Sequence, residues 1–216
     1  MTSRSPRLTA VYGALGLMLL ALPASAQVGA KQEPTSRTPT AAPAGAYSFD
    51  AEHSSLIVRI LHKRGLGFMV LRMAKSAGTL DWNPFRIEAS KLDIIVDMHS
   101  IDTPVPGFAK ELEGADFFDV DKYPEAHFVS TAIRRTGPDR GMITGDLTWL
   151  GHTNPVTIDA QLMGIAHEKG GTIIGLHGTA VVDRAKFGST ALGNGAAADN
   201  IDLVIDAEFD RGLNGQ

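Results

Sequence analysis

The sequence predicts an all-β protein, a closed antiparallel β-barrel of about eight strands with one or two short helices. Three observations predict it. Apolar residues recur with period two in segment after segment, the pattern of strands with one buried and one wet face. Gly, Pro and Asn clusters punctuate those runs. A single stretch, Val105 to Gly114, has helical character, with Phe108 and Leu112 four apart and Gly114 to end it. So few helices cannot cover so many apolar strand faces, which leaves a sandwich or a barrel. Roughly 165 residues in eight long strands suit the barrel. Closure also removes aggregation-prone edge strands.

The chain has 216 residues. Residues 1–26 read as a secretory signal peptide. Arg4 and Arg7 precede an apolar run from Val11 to Leu22, and Ala24-Ser25-Ala26 is a small-x-small cleavage site. The apolar run is about a dozen residues, short of the roughly 20 that span a bilayer. No cysteine follows it to take a lipid anchor. Its removal leaves 18 Lys+Arg against 24 Asp+Glu, a net charge of −6. Residues 27–46 are rich in Pro, Thr, Ala and Gly and are expected to be a disordered or extended linker. Residues 47–211 form the domain, and 212–216 a C-terminal tail.

Within the domain, Leu56, Val58, Ile60 and His62 share one face of the first strand. Leu92, Ile94, Val96 and Met98 share another. Ile143, Gly145, Leu147 and Trp149 do the same, followed by Val156, Ile158, Ala160 and Leu162, then Ile201, Leu203, Ile205, Ala207 and Phe209. Leu66 to Met73 is nearly all apolar, with Gly78-Thr79-Leu80 beyond it. Thr172 to Asp183 carries Gly175 and Gly178 inside, which suggests bulges or bends. Turns are expected at Asn83-Pro84, Gly137-Pro138-Asp139, Gly151 to Pro155, Lys169-Gly170-Gly171 and Gly193-Asn194-Gly195.

Several chemistries are excluded. With no cysteine there is no disulfide, thiolate metal site or thiol nucleophile. The acidic balance and the lack of a basic run argue against nucleic acid. There is no G-x-S-x-G, Walker A or Rossmann glycine pattern. The seven histidines form no metal-binding spacing. His127 sits between inward-reading Ala126 and Phe128 and points to water, the parity of His177 is ambiguous, and His62 alone has clear inward parity. Asp116, Asp119 and Asp121 cluster in a loop, where a solvated acidic surface accounts for them.

An ordered set of short motifs resembles the YceI-like polyisoprenoid-binding family. The set is Asp50-x-x-His53-Ser54, the strand ending in His62, Ser100-Ile101-Asp102-Thr103, Asp116-Phe117-Phe118-Asp119-Val120 with Tyr123-Pro124, Phe128-x-Ser130, Gly145-Asp146-Leu147-Thr148 and Arg184-x-x-Phe187-Gly188. The resemblance runs from about Tyr47 to Phe209. Departures are Val70-Leu71-Arg72-Met73, Glu111-Leu112 where the family has His-Leu before DFF, and Lys186 where it has an acid. They concern the mouth and bear on the head group more than on the fold.

The resemblance implies a lipocalin-like barrel, export to the bacterial periplasm, no catalysis, and a long isoprenoid such as a quinone tail or polyprenol, or another amphiphile, held in the lumen. No other cofactor is implied. Val58, Ile60, Met73, Ile94, Val96, Leu147, Trp149, Ile158 and Ile205 are then the expected lining, all but Met73 on strand parity. Phe108, Leu112, Phe117 and Phe118 would close one end. His62 and Arg184, with Phe187 beside it, would face the head group. Met73, Met98 and Met163 would make the lining adaptable. Transient contact with a membrane or membrane protein is expected, as a monomer or homodimer. Two other readings stay open at this point: an interaction module whose barrel is filled by its own side chains, and an enzyme on a small apolar substrate, which would need a convergent polar set in the lumen.

Overall fold

Period-two segments pair in sequence order because each has one face to bury and short turns to the next. In a computed structural model that describes residues 35–168, 170–191 and 197–212, they form ten strands. These are β1 (Gly45–His62), β2 (Gly67–Met73), β3 (Ser76–Trp82), β4 (Lys91–Asp97), β5 (Ile101–Asp102), β6 (Glu125–Arg135), β7 (Arg140–Trp149), β8 (His152–Glu168), β9 (Gly171–Asp183) and β10 (Ala197–Arg211). The only α-helix among the described residues is α1 (Phe108–Glu113). β10 pairs back onto β1 along most of its length, so the sheet closes on itself.

The ten strands make eight staves. β2 and β3 run on end to end against β1, β2 along Leu56–His62 and β3 along Gly45–Ser48. β4 and β5 likewise follow one another, pairing with β3 and β2. Eight is the stave number whose interior side chains can fill or which can hold one small ligand.

Between Asp50 and Ser55, β1 carries a bulge: Asp50 faces Glu208 while Ser55 faces Asp206. The Asp50 carboxylate accepts N–H bonds from Glu52 (2.9 Å) and His53 (3.2 Å), and Ser54 Oγ accepts the Glu208 N–H at 2.9 Å. Those polar residues therefore pin the loop that lets the long first strand bend. Further register shifts lie between Ile60 and His62, between Ser130 and Ala132 in β6, and between Leu162 and Gly164 in β8, the last opposite Gly175; the β9–β10 ladder runs through Gly175 and Gly178 without a break.

Two expectations need correction. Residues 35–46 are not a free linker. Ser36 exchanges two backbone bonds with Ile165, at 3.0 and 2.7 Å, and Pro39–Ala41 makes a 3-10 turn. Ala42 is fully buried, Pro43 O accepts the Tyr47 hydroxyl at 2.8 Å, and Pro39 O accepts the Trp82 indole N–H at 3.3 Å. Alanines and prolines lack long side chains, so composition alone reads as linker, yet they fit against the barrel's lower end. The turn expected from Gly151 to Pro155 is only Leu150-Gly151, both with positive φ (51° and 75°), the geometry of tight hairpins. A Cβ at Gly151 would come within 2.9 Å of the Tyr123 ring. Pro155 lies inside β8, in the half that β9 does not pair, where a missing N–H is tolerated. The expected signal peptide, the Gly193-Asn194-Gly195 turn and the last four residues lie outside the described residues.

Candidate functional site

Inward side chains of the staves enclose three apolar chambers along the barrel. The upper one, at the α1 end, has a volume of about 130 Å³. The middle one is also about 130 Å³ and shares Leu56, Val96, Leu147 and Leu203 with it as a waist. The lower one is about 70 Å³, shares Ile143, Ala160 and Leu176 with the middle, and is bounded below by Pro39 and Trp82.

Most of the expected lining stands where parity put it. Val58, Ile60, Met73, Trp149 and Arg184 line the upper chamber. Ile94, Ile158 and Ile205 line the middle one, and Val96 and Leu147 line both. Leu112 on α1, with Phe117 and Phe118 just after it, closes the upper end.

Three residues of the expected set are elsewhere. Phe108 is half-buried against the core and lines none of the three chambers. Phe187 is 1% exposed and packs on Trp149, ring centroids 5.7 Å apart, while Phe118 packs on the same indole at 5.5 Å. Phe187 thus positions Trp149 rather than lining the chamber. His62 ends β1 at the upper rim opposite Ala197, half-buried and outside the walls. Inward parity does not reach the lumen at the last residue of a stave. Met98 lines the upper chamber, but Met163 is 44% exposed on the outer face. Residues not singled out include Leu56, Ile201 and Leu203, whose parity was legible, and Ser189, Ala191 and Ala197, which flank the connection after β9 and carry no periodic signal.

Arg184 is the one ionisable side chain of the upper chamber. It continues the inward parity of Ala180 and Val182 as β9 ends and is only 5% exposed. Asp183 Oδ1 accepts the Ala185 N–H at 3.1 Å and starts the 3-10 turn Arg184–Phe187. Asn154 ties that turn to β8 through Lys186 O, at 3.0 Å. The guanidinium donates from Nε to Ala198 O (2.8 Å) and from Nη1 to Ser189 O and Ala191 O (2.6 Å each). An exposed carboxylate, Asp199 Oδ1, stands 3.5 Å from Nη2. Nη2 itself and Trp149 Nε1 are buried without a hydrogen-bond partner among the described residues. Such orphaned donors cost about 1–3 kcal/mol each.

A second polar cluster sits outside, at the β1 bulge. Ligand atoms of Asp50, His53 and Glu208 lie within 4.8 Å of one another, a grouping invisible to spacing because Glu208 comes from β10. His53 Nδ1 is 2.7 Å from Asp50 Oδ2. Burial pushes the Asp50 carboxyl up, but its bonds to His53 and Glu52 outweigh that and leave its pKa below the ordinary value. The bond to Asp50 raises the His53 pKa. The Glu208 pKa is raised by burial, which outweighs the lowering by His53; Asp50 and Glu168 add smaller upward pushes. Histidine–carboxylate pairs recur on the outer wall, His127 with Asp93 and His177 with Asp206, each at 2.7 Å, so the outward face of His177 is resolved.

A closed eight-stave antiparallel barrel with an apolar, compartmented lumen defines the structural class. The sequence matches the YceI-like domain family over residues 47–209, and the chain belongs to that family. A UPF0312 protein of Pseudomonas putida (strain GB-1) is 35% identical over 168 residues, 76% of this chain and 86% of that one. Another, from Vibrio parahaemolyticus, is 32% identical over 164 residues, 74% and 86% of the two chains. Among solved structures, Burkholderia cenocepacia BcnA superposes with a TM-score of 0.65 at 21% identity, covering 74% of this chain and 98% of its own. The Campylobacter jejuni YCEI protein gives 0.57 at 26% identity, covering 65% and 84%. A polyisoprenoid binding domain from Saccharophagus degradans, implicated in plant cell wall breakdown, gives 0.56 at 14% identity, covering 76% and 97%.

Proposed function

We propose that this protein is exported to the periplasm through a cleavable signal peptide and there holds a long-chain isoprenoid or similar amphiphile in its lumen, for transport, storage or sensing, without transforming it. The observation that carries the reading is the row of chambers with almost wholly apolar walls. A filled interaction module would have none. In the upper chamber the one ionisable group is an arginine, which does not deprotonate and so supplies no general base there. The family, and a fold shared with a domain described as polyisoprenoid binding, support the same reading.

Size sets how a ligand fits. An engineered apolar cavity of about 150 Å³ takes one benzene. Each larger chamber therefore suits a unit of about that size, and a long chain threads the waist by turning Leu56, Leu147 and Leu203 aside. Met69, Met73 and Met98 in the upper wall re-pack easily around varied shapes. About twenty buried carbons at ~0.8 kcal/mol each give roughly 16 kcal/mol gross. Ordering and association remove several to more than 10 of it, leaving micromolar to nanomolar binding.

Loading has a candidate surface. Leu66, just before β2, and Phe68 and Val70 on it are 85%, 48% and 39% exposed, beside the wall residues Met69 and Leu71. With an acidic chain, contact with a bilayer through such residues is apolar rather than electrostatic. Native mass spectrometry of periplasmically expressed protein tests the proposal. A hydrophobic adduct lost only on denaturation is expected. Ile60→Arg, in the wall, should abolish uptake, while Val181→Arg, on a residue 61% exposed, should not. Normal uptake by Ile60→Arg would contradict it.

A further inference from the structure

We propose that the bulge in β1 and the strand facing it hold a divalent metal ion of the zinc class, with Asp50, His53 and Glu208 as its ligands, and that the ion staples the seam at which the barrel closes. The site lies on the outer wall and does not depend on what the lumen carries.

Asp50 and Glu208 stand directly opposite each other in the β1–β10 ladder, the pairing that closes the sheet. Like charges in that position repel across the strands. The surroundings add to the repulsion. Glu208 is half-buried, and Glu52 and Glu168 stand close enough to act through space on His53 and Glu208. Among the described residues, no Lys or Arg forms an ion pair with any of these four carboxylates. A divalent cation between Asp50 and Glu208 turns the repulsion into attraction.

The bulge supplies a nitrogen ligand as well. Asp50 Oδ1 accepts the N–H groups of Glu52 and His53, which curls the loop and turns the imidazole back toward the carboxylate. Asp50 Oδ2 is left for His53 Nδ1, at 2.7 Å. Ser54 Oγ takes the Glu208 N–H at 2.9 Å and fixes β10 against the loop. One ligand atom from each of the three residues then lies within 4.8 Å of the other two, the only such group of three among the described residues. The His127–Asp93 and His177–Asp206 pairs have the same 2.7 Å contact on the same outer wall but no third ligand, so a histidine–carboxylate contact alone does not make the group. One imidazole with two carboxylates suits zinc and its transition-metal neighbours, whereas calcium and magnesium take oxygen ligands. Zinc bonds of about 2.0–2.1 Å in a tetrahedron set ligand atoms about 3.3 Å apart, so His53 backs off Asp50 by roughly half an ångström and Glu208 swings in. The His53 side chain is 62% exposed and free to move. It keeps its proton on Nε2 and gives Nδ1 to the metal, and water takes the fourth position. The ion ties β1 to β10 where the bulge interrupts their ladder, in a chain with no cysteine for a covalent tie.

The test uses the full chain without a histidine tag, freed of metal by a chelator and titrated with zinc, calcium and magnesium chlorides by calorimetry and thermal melting. A single zinc per chain is expected, with the melting midpoint rising by about 5–10 °C when zinc is at a hundredfold excess over its dissociation constant. Calcium and magnesium should bind about tenfold or more weakly than zinc. His53→Ala and Glu208→Gln should each weaken zinc binding by about tenfold or more, each protein being compared with its own zinc-free midpoint, and His127→Ala should leave it unchanged. Because a melt also reports packing, cobalt(II) gives a second readout: its visible ligand-field bands should appear with the unmodified chain and with His127→Ala and vanish with His53→Ala. Calcium binding as tight as zinc overturns the proposal, since the imidazole is then no ligand. Zinc affinity that survives either His53→Ala or Glu208→Gln overturns it too, as does a loss in His127→Ala equal to that in His53→Ala, or the absence of zinc binding by the unmodified chain.

Discussion

The chain has two tryptophans, one at each end of the barrel, and they are treated differently. Trp82 at the lower end is 6% exposed and gives its N–H to Pro39 O, on the segment that closes that end. Trp149 at the upper end is 7% exposed, wedged between Phe118 and Phe187, and its N–H has no partner among the described residues. Both indoles are buried to the same extent, so burial does not separate them. Polar accounting does: the lower indole is paired with the chain's own carbonyl, and the upper one has no partner among the described residues.

The sharpest way to break that comparison is to block passage between the ends. Leu203→Trp places a large side chain at the waist. It is expected to weaken binding of a long prenyl chain by about a hundredfold or more while a single-ring quinone still enters the upper chamber; titration with both compounds checks it. Overpacking of this kind costs about 1–3 kcal/mol, a melting midpoint lower by roughly 3–10 °C. If both compounds lose affinity equally, the chambers do not act in series.

Removing the plug should act on stability instead. Deleting residues 35–43 discards the Ser36–Ile165 bridge, the buried Ala42 and the acceptors of Trp82 and Tyr47. The expected loss is about 2–3 kcal/mol, or 5–10 °C, with affinity for a long prenyl chain intact. A change in affinity would mean that the lower end also contacts the ligand.

On the outer wall of the mouth, Leu66→Ser with Phe68→Ser should slow lipid uptake from neutral vesicles several-fold and leave equilibrium affinity unchanged, as stopped-flow transfer would show. Phe68 also lies under the Arg59 guanidinium, 4.0 Å from its centroid, a contact whose loss is worth well under 1 kcal/mol at an exposed site.

The smallest effect is expected at the β1 bulge. The folded-state pKa of Glu208 is raised, so the native state holds its proton more tightly than the unfolded chain does. Stability therefore falls as pH rises through the ordinary glutamate value toward the raised one. Glu208→Gln should raise the melting midpoint by about 1–2 °C at pH 7 and by nothing near pH 3. A gain at both pH values would point to packing rather than charge.

Much of this was legible in the sequence because a strand's side chains alternate without exception until a bulge intervenes. Parity therefore placed Ile60, Val96, Trp149 and Ile205 on the inside from one-dimensional information. It also extended one residue too far, to His62, because alternation says nothing about where a stave stops being covered. The Pro39–Ala42 plug was illegible for the opposite reason: a small-residue segment without period can be buried by shape alone. Which donors would be left over could not be read at all. The carbonyls that occupy Arg184 belong to Ser189, Ala191 and Ala198, and only the folded path of the chain after β9 brings them to it.

The central claim is that the lumen is kept for a hydrocarbon tail from outside the chain. Organic extraction of the protein purified from the periplasm of an exporting host, followed by mass analysis of the extract, tests it most directly. A long-chain isoprenoid or similar amphiphile, in near-stoichiometric amount, is the predicted result. An extract indistinguishable from that of an unrelated periplasmic protein, prepared alongside, would contradict it.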